Sequence, residues 1–160
     1  MSEGIQDIEG RAALSAAARE LISAVSLELR IASRCLEGAI YRDRDLIDAL
    51  KAQLLAQRRL RVRLLVAEPD QALREAEPLL ELLRRLSSQV DIHTPHAADL
   101  AFEHEWLIAD ERGFVRRDRP DNLISRYAAA EALAARALAR EFDAAWDRSR
   151  PASELRRLGI

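Results

Sequence analysis

The stretch Glu103-His104-Glu105-Trp106-Leu107-Ile108-Ala109-Asp110 leads straight into Glu111-Arg112-Gly113-Phe114-Val115-Arg116-Arg117, and the fold turns on how these residues are read. Phe102 to Asp110 and Gly113 to Arg117 are rich in aromatic and aliphatic side chains and read as two strands. The Asp110-Glu111-Arg112-Gly113 turn between them makes a hairpin. Side chains alternate across a strand, so Glu103, Glu105, Leu107 and Ala109 share one face and His104 points to the other.

Upstream, the apolar period switches regularly between helix and strand. Leu14, Ala17, Ala18, Leu21, Ile22 and Val25 form one stripe of a helix from Arg11 to Val25, after a loose lead-in over Met1 to Gly10. Leu27 to Ser33 alternates as a strand, and Arg34 to Arg44 reads as a loop. Asp45 serves as N-cap for a helix through Leu46, Ile47, Leu50, Leu54 and Leu55, followed by a buried strand from Arg61 to Ala67. Pro78 interrupts the series Leu73, Ala76, Leu79, Leu80, Leu83 and Leu86, which predicts a break near Glu77 and a helix from Pro78 to Ser87-Ser88. Gln89 to Thr94 is a further strand. Beyond the hairpin an Ala-rich helix from Ser125 to Arg148 carries Ala134, Leu138, Phe142 and Trp146 on one face.

This order predicts an α/β fold: one domain over residues 11–149, with a mixed, mostly parallel sheet covered by helices on both faces. Residues 1–10 lead in, and the leucines of residues 150–160 dock a C-terminal tail. A chain of 160 residues buries about 70% of the surface it exposes when unfolded, enough for one core. Its 49% hydrophobic and 32% charged residues lie far from the disordered regime.

The net charge of -2 argues against a nucleic-acid binder, although 24 Arg stand against a single lysine, Lys51. The clusters Arg58-Arg59-Leu60-Arg61 and Arg116-Arg117-Asp118-Arg119 read as solvated mixed-charge surface. The apolar runs are too short to span a bilayer. Cys35 has no cysteine partner, and no charged start precedes an apolar run, so a cytoplasmic protein is expected.

Several segments together resemble the phospholipase D superfamily: the Ser33 to Leu36 loop after a strand, the Arg61 to Ala67 strand, Leu107-Ile108-Ala109-Asp110, and the closing helix with Phe142 and Trp146. The resemblance covers Arg11 to Ser149. Ser149 to Gly159 is similar to the end of an uncharacterised bacterial family of that organisation. Members carry His-x-Lys-x-x-x-x-Asp on a strand; the histidine attacks phosphorus and the lysine holds the phosphate oxygens. In this register Asp110 ends the motif, Glu103 replaces the histidine and Glu105 the lysine. A carboxylate at Glu105 repels phosphate by about 1 kcal/mol per charge pair at 4 Å in water, and by about 4 kcal/mol at an effective dielectric of 20. Shifting the register to His104 puts Trp106 at the lysine position and Glu111 at the aspartate position. Gly113 to Asp118 also lacks the serine and asparagine that follow the motif in the family.

No catalytic residue, cofactor or metal site is therefore expected. The degenerate positions are Glu103, Glu105 and Asp110, and a ligand would be met by Arg34, His93, His96, Glu103, Glu105 and Arg116. Arg30, Arg34 and Arg116 are candidate partners for the two glutamates. Cys35, a lone thiol, reads as a small buried residue. The resemblance implies a site built where two copies meet, hence a homodimer with the glutamate edges near the two-fold axis. The expected function is a catalytically degenerate pseudoenzyme of a bacterial cytoplasm, binding an unknown small molecule or protein as a binding or assembly module. Two rivals stand beside it: an enzyme of altered chemistry using Glu103 and Glu105 with a divalent metal, and a nucleic-acid-binding relic of a phosphodiesterase.

Overall fold

The computed structural model describes residues 4–99, 104–119 and 123–156. The chain opens with strand β1 (Gln6–Glu9), helix α1 (Arg11–Ala24) and strand β2 (Glu28–Ser33). The short helix α2 (Gly38–Tyr41) and helix α3 (Arg44–Ala56) lead to β3 (Arg61–Val66); α4 (Pro69–Glu75) and α5 (Glu77–Arg85) lead to β4 (Val90–Thr94). The hairpin β5 (Glu105–Ala109) and β6 (Gly113–Arg117) follows, then β7 (Ile124–Ala128), α6 (Ala132–Asp147), β8 (Arg150–Pro151) and α7 (Ser153–Arg156).

All the strands belong to one sheet in the order β1-β7-β6-β5-β2-β3-β4-β8. Among the described residues only β2 with β3 and β3 with β4 pair in parallel; the other five neighbouring pairs are antiparallel. The mostly parallel sheet expected above is thus corrected to a mostly antiparallel one. Only two connections cross over through helices, and the chain then turns back by hairpin. Three strands also escaped the sequence reading: β8, which falls in the expected C-terminal tail, and two others. Gln6–Glu9, taken as lead-in, pairs with β7 at the sheet edge. Ile124–Ala128, taken as the start of the last helix, is β7, with Ser125 and Tyr127 buried and Ile124 and Arg126 exposed. Its period of two was masked because Ala128-Ala129-Ala130 runs into the Ala-rich helix without a breaker.

The helices pack where their stripes predict. Leu14, Ala17, Ala18, Leu21 and Ile22 of α1 and Leu46, Leu50 and Leu54 of α3 cover the sheet face that carries Leu29, Ile31, Val62, Leu64 and Leu107. Asp43, not Asp45, caps α3: its carboxylate accepts from the Asp45 amide at 2.9 Å. The break before α5 falls at Ala76. On the opposite face α6 lays Ala135, Leu138, Ala139, Phe142 and Ala145 over Ala32, Leu65, Trp106, Ile108 and Phe114. A single acid fixes that helix. Asp143 accepts from Arg30 at 3.1 Å and from Arg63 at 2.8 Å, and the Arg63 guanidinium lies over the Phe142 and Trp146 rings. Arg30 is only 3% exposed and also pairs with Glu28 and Glu111, so its charge is matched inside the domain.

Beyond α6, β8 pairs with β4, and Ala152 and Leu155 are fully buried against the α1 and α3 side of the core. No described helix is long and apolar enough to cross a membrane. Phe142 has no exposed surface, so Phe142→Ala is expected to cost about 3–5 kcal/mol. Urea denaturation of the purified chain reads this directly; a loss under 1 kcal/mol would mean that α6 does not depend on this anchor.

Candidate functional site

Pairing of β2 with β5 sets the site. Leu29 stands opposite Ala109, and Ala32 opposite Trp106, so the next residues along, Ser33 and Glu105, meet at the end of the seam. Both point to the α1 face. The Ser33 hydroxyl donates to Glu105 Oε2 at 2.7 Å and accepts from the Leu36 amide at 2.8 Å. On the other side β6 places Arg117 opposite Glu105. Glu105 is 5% exposed and Arg117 2%. Arg117 reaches Glu37 of the segment before α2 at 3.4 Å, and Glu37 takes a second arginine, Arg11, at 2.9 Å.

Burial dominates the electrostatics here. It pushes the Glu105 carboxyl up to about 7, although the Ser33 hydroxyl, Arg117 and the Arg34 backbone amide oppose the shift. Glu37 moves the other way. Burial would raise it as well, but its hydrogen bonds and charge attraction to Arg11 and Arg117 outweigh burial and hold it below the ordinary carboxylate value. Glu37 is thus held between two arginines, Arg11 and Arg117, whereas Glu105 has the Ser33 hydroxyl and only the charge attraction of Arg117. Glu105 Oε1 and Arg117 Nε have no hydrogen-bond partner among the described residues. Tyr41 and Cys35 close the same region, both almost fully buried, and burial raises the Cys35 thiol to about 11.

The partners expected for Glu105 are therefore corrected. Arg30 points to the α6 face and binds Asp143. Arg34 binds Glu68 at 3.1 Å and Gln71, and Arg116 binds Asp118 while lying over Trp106. Ser33 and Arg117 take their place, and Arg34 keeps a backbone hydrogen bond and a charge attraction to Glu105. Arg117 was legible in principle, since hairpin register alone puts it beside Glu105; Ser33 depends on a pairing between segments over 70 residues apart. Glu103 lies outside the described residues.

The other expected residues stand elsewhere. His93, on the α6 face of β4, stacks on Trp146 with ring centroids 3.9 Å apart, and its Nδ1 lies 2.6 Å from Ser149 Oγ. His96 is exposed, its Nδ1 accepting from the Ala98 amide. The His93 side chain is thus on the opposite face of the sheet from Glu105. His104 stacks on Trp106 and lines a cleft of about 390 Å³ on the α6 side with Asp99, Arg116, Glu141 and Arg148. Asp99 and Arg148 pair across it at 2.8 Å. Among the described residues no group of three or more His, Cys, Asp and Glu side chains is placed to hold a metal.

Asp110 sits at the far end of the strand in a left-handed conformation, φ +57°. Its carboxylate accepts from the amides of Ser26, Leu27 and Glu28 at 3.0, 2.8 and 3.0 Å. It is a clamp on the start of β2. Asp110→Ala leaves three strand-entry donors without that acceptor and is expected to cost about 1–3 kcal/mol, measured by urea denaturation. A neutral result would remove the clamp. Glu105 gives a pH signature. Its folded value lies above the ordinary 4.5, so the folded state keeps a proton the unfolded chain loses, and stability falls as pH rises from about 4.5 to about 7, then levels. Glu105→Gln should flatten that part of the stability profile; an unchanged slope would locate the titration elsewhere.

No curated protein matches the chain. Among solved structures it is similar to Nuc, a phospholipase D family member from Salmonella typhimurium, at 12% identity and TM-score 0.65, covering 92% of this chain and 97% of that one. NucT from Helicobacter pylori gives 11% identity and TM-score 0.61 over 92% of this chain and 99% of that one. TrmBL2, an archaeal chromatin protein with a novel mode of DNA binding, gives 13% identity and TM-score 0.67 over 93% of this chain. The chain spans only 55% of the length of TrmBL2. At these identities the likeness is one of fold, and the fold is phospholipase D-like. Residues 10–158 match the family described as Domain of unknown function (DUF7931), and the chain belongs to that family.

Proposed function

We propose that this chain is a phospholipase D-like domain without phosphodiesterase chemistry, working as a binding or assembly module in a bacterial cytoplasm. The observation that carries the reading is the burial of Glu105. It holds the strand position given to the phosphate-binding lysine by the family motif, yet it is 5% exposed and hydrogen-bonded to Ser33. A buried acid there offers phosphate neither positive charge nor access. Asp110, the third motif position, is engaged in holding the entry to β2.

The assembly we propose is a homodimer. The chain covers nearly the whole of Nuc and NucT, which fits a single copy of the fold. Because Glu105 is buried within one domain and hydrogen-bonded to Ser33, its carboxylates need not face one another across a two-fold axis.

The enzyme of altered chemistry keeps one supporting observation: a carboxyl titrating at about 7 is suited to acid–base work. The nucleic-acid reading draws on the fold likeness to TrmBL2, but Arg34 and Arg116, the side chains expected to meet phosphate, are paired with Glu68 and Asp118.

Light scattering of the purified chain is expected to give the mass of two copies. Bis-p-nitrophenyl phosphate, offered with magnesium, with zinc and with chelator, should not be turned over above the buffer rate. Turnover abolished by Glu105→Gln would put the enzyme reading first, and steeply salt-dependent binding of duplex DNA would put the nucleic-acid reading first.

A further inference from the structure

Residues 34–41 follow β2 and lie against the buried Glu105 and Arg117: the Arg34 amide donates to Glu105, Glu37 reaches Arg117, and the buried Tyr41 stands near both. A few polar contacts hold them down. The Leu36 amide donates to Ser33 Oγ at 2.8 Å, the Gly38 amide to Glu75 Oε1 at 2.9 Å, and Glu37 bridges Arg11 and Arg117. Leu36, fully buried, is kept at φ +56°, a left-handed conformation that disfavours a residue with a side chain. Ser33 is the joint between this segment and the sheet, because the same hydroxyl accepts from Leu36 and donates to Glu105.

We propose that residues 34–41 are a pH-dependent cap, closed over the Glu105 and Arg117 pair while Glu105 keeps its proton and opening as Glu105 ionises. The charges that face Glu105 support this. From the cap come Glu37, Arg34, Cys35 and Tyr41, and from β6 comes Arg117; Arg11 of α1 and Glu75 of α4 stand behind Glu37 and Gly38. Arg117 is matched by Glu37 and Arg34 by Glu68. Ionised Glu105 is then a second negative charge beside one buried arginine, and lifting the cap lets water reach it.

The sign follows from the two states. Closed, burial holds Glu105 at about 7; open, it returns toward the ordinary 4.5. Closure is strongest below about pH 4.5, weakens as pH rises to about 7 and is constant above that. Glu37, held below its ordinary value, acts in the opposite sense, and only at pH below that ordinary value. Between pH 5 and 7 the opening constant should rise on the order of thirtyfold.

Hydrogen exchange of the Leu36 and Gly38 amides tests this in the full chain, corrected for the intrinsic rate; exchange faster than that of the core amide of Ile31 marks opening of the cap and not of the whole domain. Wild type should show the rise between pH 5 and 7, and Glu105→Gln should remove it. Cys35, the sole thiol, gives an independent count of openings through its labelling rate relative to that variant. The same rise in Glu105→Gln, or none in wild type, overturns the proposal. Should Glu105→Gln fail to fold, the wild-type side-chain carboxyl 13C shift of Glu105 and the Leu36 exchange must share one midpoint; separate midpoints overturn it equally.

Discussion

The register between β2 and β5 is the constraint on which the rest of this molecule depends. These strands form the seam between a parallel part, β2-β3-β4, and an antiparallel part, β5-β6-β7-β1, and they come from segments over 70 residues apart. At one end of the seam Asp110 fixes the register by accepting three consecutive backbone amides, while its own amide donates to the Glu28 carbonyl. A slip of one residue would turn every side chain of β5 to the wrong face and leave Glu105 away from Ser33. The clamp at Asp110 therefore decides the geometry at Glu105, at the other end of the strand.

The two faces of the sheet handle buried charge differently. On the α6 face Arg30 and Arg63 surround Asp143, Glu28 and Glu111 lie at the margin, and each buried positive charge has acids around it. Burial and attraction work against each other at Asp143, and attraction prevails, so its carboxyl lies below its ordinary value. On the α1 face the balance tips the other way. Glu37 and Glu105 share one fully buried arginine, and the acid with less help is raised by burial. The sheet is thus pinned to α6 by a charge-matched network, in which Arg30 Nη1 alone of the Arg30 and Arg63 nitrogens is buried without a hydrogen-bond partner among the described residues, and at the β5 end it carries an acid raised by burial.

That asymmetry links the fold to the functional reading. The resemblance to the phospholipase D superfamily would put phosphate chemistry at the end of this strand, and the residue that stands there is a buried carboxyl. The left-handed Leu36, the joint at Ser33 and the bridge from Glu37 to Arg11 and Arg117 hold the segment after β2 beside this acid.

The sequence by itself determined the element order, because helical and strand periods differ and are local: α1, α3, β2, β3, β4 and the β5–β6 hairpin are all legible from spacing. The reading of Glu105 at the motif's lysine position also comes from the sequence, because it rests on residue identity and the resemblance alone. Tertiary structure alone decided the sheet. β7 and β1 have no strong local signal, as Ile124–Ala128 merges with an Ala-rich helix and Gln6–Glu9 is polar, and both become strands through pairing with each other and with β6. It also decided the environment of Glu105. Arg34 and Arg116 were reasonable partners by charge, yet a side chain's face is set by register and its exposure by what packs above it. Ser33 became the partner through the β2–β5 register, and residues 34–41 brought the burial. Neither is local, so neither could be read from the motif.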